Sequence, residues 1–68
     1  MTNYQKRVLS ELSAFFGYES FVAWELAALI ESPYGNTCAT IRGLIVAGKL
    51  VEIAPKEYAI NPKLESNQ

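Results

Sequence analysis

The chain contains no histidine and one cysteine, Cys38. Histidine is the side chain that changes charge near neutral pH and the commonest metal ligand. Its absence removes the usual general base and, with a single thiol, any complete zinc ligand set. One cysteine cannot staple the fold, so stability has to come from packing. No apolar run approaches the roughly 20 residues of a membrane-spanning helix, since Phe21 to Ile30 is too short and holds Glu25. There is no glycine-rich phosphate loop of the Walker or dinucleotide type and no carboxylate pair in an apolar stretch. No enzyme activity, cofactor or metal is expected, and no membrane partner. An excess of positive charge is missing as well: six Lys and Arg stand against seven Asp and Glu, a formal net charge of −1. Compact nucleic-acid binders are commonly basic. That counts against DNA, yet binding follows the local field, and a homodimer would double the cations on one side. The segment Met1-Thr2-Asn3-Tyr4-Gln5-Lys6-Arg7 lacks the apolar core of a secretory signal, so a cytoplasmic location is expected.

What is present is enough for one small core: 68 residues, half of them hydrophobic, sufficient for one domain and too few for two. Thr2 or Asn3 can cap a first helix running to about Phe16, with Gly17 as its left-handed stop. On that helix Gln5, Val8, Leu9, Phe15 and Phe16 share the side of Leu12, and Arg7 with Glu11 makes an i,i+4 pair. Tyr18 to Phe21 alternates like a very short edge strand before Ser20 caps a second helix from Val22 to Glu31. Ser32-Pro33-Tyr34-Gly35 reads as a turn in which glycine permits a positive φ, and Asn36 then caps a third helix from Thr37 to Ala47. Around Ile41, an arc of that helix gathers Tyr34, Thr37, Cys38, Leu44 and Ile45, leaving Asn36, Ala39, Thr40, Arg42, Gly43, Val46 and Ala47 outside it. Two helices joined so tightly make a helix-turn-helix unit. After Gly48, Leu50 to Ile53 and Tyr58 to Ile60 read as strands about a turn at Ala54-Pro55-Lys56-Glu57. The expected class is α+β, with a domain over 1–61 and a flexible tail over 62–68. Its expected core is Val8, Leu12, Phe15, Phe16, Phe21, Leu26, Leu29, Ile30, Ile41, Leu44, Ile45, Leu50, Ile53, Tyr58 and Ile60.

Several residues outside that core are candidates for contact. Arg42 offers a planar cation suited to phosphate or guanine, or is a solvated arginine near Glu31 or Glu52. Ala39, Gly43 and Ala47 recur every four residues and leave a ridge almost without side-chain bulk. Either the glycine is simply tolerated at about 1 kcal/mol, or the strip meets another helix, with Val46 as an apolar edge. Trp24, with Ala28 on the same outward side, suits a protein interface, although lateral burial by Tyr4 or Leu64 is the better expectation. Cys38 is expected to be a small buried hydrophobe without a chemical role.

From Tyr4 to Ile60 the order of elements resembles the winged helix-turn-helix family. Phe21-Val22-Ala23-Trp24-Glu25-Leu26-Ala27 is similar to the start of that family's second helix, and Ile41 to Glu52 is similar to its recognition helix passing through a glycine into the wing. The resemblance implies a third helix in the major groove of double-stranded DNA and a β-hairpin wing against the backbone. By position, Asn36, Thr37, Ala39, Thr40 and Gly43 would face the groove, with Arg42 beside them and Lys56 at the wing tip. Two departures stand out: the third helix has few of the Arg, Lys, Gln and Asn that read base edges, and the wing is short with one cation. The working expectation is a DNA-binding transcriptional regulator, acting better as a dimer. The rival is a protein-interaction module docking through Trp24, Ala28 or Val46.

Overall fold

The computed structural model describes residues 1–62. Within them the chain forms α1 (Asn3–Phe15), β1 (Phe21–Val22), α2 (Ala23–Ile30), α3 (Tyr34–Val46), β2 (Leu50–Ala54) and β3 (Glu57–Ile60). This is a small α+β arrangement of three helices and an antiparallel sheet ordered β1-β3-β2. Of the expected tail over 62–68, residues 63–68 lie outside the described residues. No described helix is long and apolar enough to cross a membrane.

Local chemistry sets each boundary. Thr2 caps α1 reciprocally: its hydroxyl accepts from the Gln5 N–H at 3.1 Å, and its own N–H donates to Gln5 Oε1 at 3.0 Å, so two otherwise orphaned donors are satisfied. Gly17 ends the helix with φ 60°, a left-handed position that glycine occupies without a Cβ penalty. The edge strand is shorter and later than Tyr18–Phe21, because only Phe21 and Val22 pair, with Tyr58 and Glu57. Ser20 therefore falls too early to cap α2. Val22 is the cap, and the Glu25 carboxylate accepts its N–H at 3.0 Å, an anion placed at the positive end of the helix.

The turn before α3 departs further from expectation. The helix begins at Tyr34, capped by Pro33, and not at Thr37. The Pro33 carbonyl accepts both the N–H and the hydroxyl of Thr37 at 3.0 Å, which winds the first turn three residues early. Asn36 is thus a first-turn residue and no cap, and Gly35 sits in the helix without positive φ. The left-handed residue of this bend is Glu31, φ 54°. At the far end Gly48 stops α3 with φ 79°, and Asn61 Nδ2 donates to its carbonyl at 2.9 Å, tying the end of β3 to the end of α3.

In the hairpin Leu50, Val51 and Glu52 pair with Ile60, Ala59 and Tyr58, and the register then shifts so that Ala54 pairs with Glu57. Pro55 and Lys56 form the loop. Lys56 takes φ 63°, and its N–H donates to Glu52 Oε2 at 2.9 Å. Val8, Leu12, Phe21, Ala23, Leu26, Ile41, Leu44, Leu50 and Ile60 form the buried cluster, with Phe16, Leu29, Ile30, Ile45 and Tyr58 packed against it. Two expected core residues are outside. Ile53 is 56% exposed because it stands three residues from buried Leu50, on the opposite face of a period-two strand. Phe15 is 69% exposed: its neighbour Phe16 takes the inward place, ring centroid 5.5 Å from Phe21, and leaves Phe15 edge-on against it.

These burial differences set the expected costs of substitution. Leu12→Ala, at a fully buried position, should lower unfolding free energy by about 2–5 kcal/mol. Phe15→Ser should cost no more than about 0.5 kcal/mol. Urea unfolding followed by far-ultraviolet circular dichroism measures both.

Candidate functional site

Burial of one stripe of α3 decides what its other faces offer. Thr37, Ile41 and Leu44 are at most 2% exposed and point into the core. At roughly 100° per residue, Tyr34, Cys38 and Arg42 then follow one flank at every fourth position, and Asn36, Thr40 and Gly43 belong to the other.

The first flank borders an open concavity of about 600 Å³. Its walls come from three elements: Trp24 at the start of α2, Tyr34, Cys38 and Arg42 on α3, and Glu52, Lys56 and Tyr58 on the hairpin. Arg42 and Lys56 are exposed and reach this space from different elements. Arg42 makes no ion pair among the described residues, where the pair formed is Arg7 with Glu11. Glu52 shares the concavity, but its carboxylate holds the Lys56 backbone N–H. The Tyr34 phenol is held above its ordinary value, first by hydrogen bonding with the Cys38 thiol and then by repulsion from the same group and by desolvation. It is neutral at physiological pH, so Arg42, Lys56 and Glu52 set the local charge, which is more positive than the chain as a whole. Cys38 is half-buried, packed against the core cluster while also lining this wall.

The expected groove-facing set does not stay together. Thr37 is fully buried, its hydroxyl donating to Pro33, so it cannot reach a ligand. Thr40 is half-buried and its hydroxyl donates to the Asn36 carbonyl at 3.0 Å. Gly43 lies under α1: a Cβ there would stand 2.9 Å from Gln5 Nε2. The smooth ridge of Ala39, Gly43 and Ala47 is therefore interrupted in the middle by the chain's own side chain, and the glycine gives room to the Gln5 that caps α1. Asn36 and Ala39 are exposed. The residues brought together are Arg42 and Lys56, with Trp24 and Tyr34 beside them. Tyr34, expected on the inward arc of the third helix, is instead 57% exposed, and Glu52, expected only as a neighbour of Arg42, lines the same space.

Trp24 is 64% exposed, uncovered by Tyr4, itself half-exposed; Leu64 lies outside the described residues. Its other side enters a recess of about 440 Å³ with Phe15, Phe16, Ala28 and Leu29. Val46, 83% exposed, stands apart from both spaces. Among the described residues no three His, Cys, Asp or Glu side chains gather to hold a metal ion.

The Tyr34 shift has a definite sign. Because the folded value is raised, the fold favours the neutral phenol, and that contribution is present below the unfolded value and lost as pH rises through the folded one. Cys38→Ala removes the leading cause and should bring Tyr34 ionisation to lower pH. Tyrosinate absorbance, with Tyr34→Phe subtracted, gives the comparison.

Compared with known protein families, with curated proteins and with solved structures, the chain matches none.

Proposed function

We propose that this chain is a small double-stranded-DNA-binding protein of the winged helix-turn-helix type, acting as a transcriptional regulator. The observation that carries the reading is the concavity in which Arg42 of α3 and Lys56 of the hairpin turn face the same space from separate elements. Two cations held apart by a helix and a hairpin suit successive phosphates along a duplex strand, where charge neutralisation releases counterions and supplies most of non-specific affinity. The order of elements, with a two-residue β1 completing the sheet beside β3, is compatible with a winged-helix layout, in which the hairpin would take the place of the wing.

In this mechanism α3 approaches the major groove along its outer flank, with Ala39 at the ridge and Asn36 at the exposed first turn. Arg42 and Lys56 hold the backbone. Trp24 and Tyr34 border the same cleft and give it flat, partly apolar walls. Backbone contacts dominate, because Asn36 and Arg42 are the exposed side chains of α3 able to read base edges. Affinity for a single copy is accordingly weak and its salt dependence shallow.

A second reading is favoured by a different observation. The recess formed by Phe15, Trp24, Ala28 and Leu29 exposes aromatic surface of the kind concentrated at protein-interface hot spots. A protein-interaction module would use that surface and need no DNA.

Titration of a fluorescently labelled duplex at low and moderate salt separates the two. The DNA reading requires binding at low salt that falls with a slope of about two per chain, one for each of Arg42 and Lys56. Arg42→Ala should weaken binding and reduce that slope by about one. Absence of binding at low salt would transfer the assignment to the protein-interaction reading, and unchanged affinity in Arg42→Ala would show the docking face to be elsewhere.

A further inference from the structure

The flank of α1 turned away from the core carries an ordered series of which Phe15 alone also borders the Trp24 recess. Tyr4, Arg7, Glu11 and Phe15 recur at intervals of three and four residues, which places them on one face of a helix. All four reach solvent: Tyr4 is 48% and Phe15 69% exposed, and the Arg7 and Glu11 side chains are 81% and 41% exposed. Arg7 Nε stands 3.7 Å from Glu11 Oε2, longer than the roughly 2.7–2.9 Å of a charge-assisted hydrogen bond, so both groups keep bonding capacity. Ala14 is exposed beside them, and Leu29 of α2 closes a shallow recess with Glu11, Ala14 and Phe15.

Along the helix the chemistry therefore reads aromatic, cation, anion, aromatic. Reversed, it reads aromatic, anion, cation, aromatic. We propose that this flank of α1 is the interface of an isologous dimer, in which a second copy packs α1 antiparallel so that Arg7 meets Glu11 and Tyr4 meets Phe15, each twice.

Register supports the arrangement. Arg7 and Glu11 are symmetric about residue 9, Tyr4 and Phe15 about a point half a residue further on, a mismatch of about 0.8 Å at 1.5 Å rise per residue. One twofold axis beside the middle of α1 thus satisfies both pairs. A parallel packing would set Arg7 against Arg7 and Glu11 against Glu11, which like-charge repulsion disfavours. Tyr4 of the second copy is then received by Phe15 and Leu29, which gives the exposed aromatic at the end of α1 a covering that its own chain does not provide. The interface lies away from Arg42 and Lys56 and does not depend on what they bind. One helix flank is small beside the roughly 800 Å² per partner of stable complexes, so the dimer is weak and concentration-dependent.

Charge reversal tests the pairing by sedimentation equilibrium of the full chain without DNA, from micromolar to millimolar concentration. Arg7→Glu and Glu11→Arg should each weaken self-association about tenfold, since two unlike pairs become two like pairs. An equimolar mixture of the two variants should associate again, because one chain then carries only acids and the other only cations at the facing positions. The intrahelical pair is absent from both chains of that mixture, so recovery cannot come from it. Phe15→Ser, at an exposed position, should also weaken association while circular dichroism stays that of the parent. A parent that is monomeric throughout, a dimer indifferent to both reversals, or a mixture that stays monomeric would each overturn the proposal, leaving this flank to a different protein or to solvent.

Discussion

The rotation of α3 about its own axis is the constraint on which the rest of the surface depends. Thr37, Ile41 and Leu44 enter the core with almost no residual exposure, and fully burying an aliphatic side chain is worth about 1.5–3 kcal/mol. Turning the helix to expose a different stripe would forfeit that. Thr37 solves its own polarity within the element, by donating to the carbonyl of the capping proline. With the inward stripe fixed, Arg42 is carried to the hairpin side and Gly43 to the α1 side. The surface chemistry of the helix follows from its core chemistry.

Placement of the hairpin follows from the same end of α3. Gly48 turns the chain sharply, and Asn61 returns to the Gly48 and Lys49 carbonyls, so β2 and β3 leave the helix as a pinned pair. The loop at their tip is held by the Glu52 carboxylate on the Lys56 N–H. Lys56 therefore stands on a braced turn that, with Arg42, lines the concavity. A chain of net charge −1 in this way brings two of its cations to one concavity, which Glu52 also lines.

The sequence made the α+β class, the order of the elements and most of the core legible, because those rest on apolar periodicity and on Gly17 and Gly48, whose left-handed positions few other residues adopt. It was less informative where two local rules compete. Asn36 is a good helix cap by type, but the Pro33 carbonyl, accepting both the N–H and the hydroxyl of Thr37, starts the helix earlier. Phe15 and Phe16 are equally apolar neighbours, and only the position of Phe21 decides which is buried. Gly43 was readable as a place for close approach; that the approaching group is Gln5, occupied in capping α1, depends on how α1 crosses α3, which no local pattern encodes. The convergence of Arg42 with Lys56 is likewise a tertiary result, since it joins a helix flank to a hairpin tip 14 positions on in the sequence.

The central claim is that the Arg42–Lys56 cleft is the surface that meets nucleic acid. Backbone amide chemical shifts recorded by NMR while a short duplex is added at low salt test it most directly. The account requires the largest changes at Tyr34, Arg42 and Lys56, with the hydrophobic recess around Phe15 and Leu29 unmoved. Changes confined to that recess, or none at any residue at low salt, would contradict it.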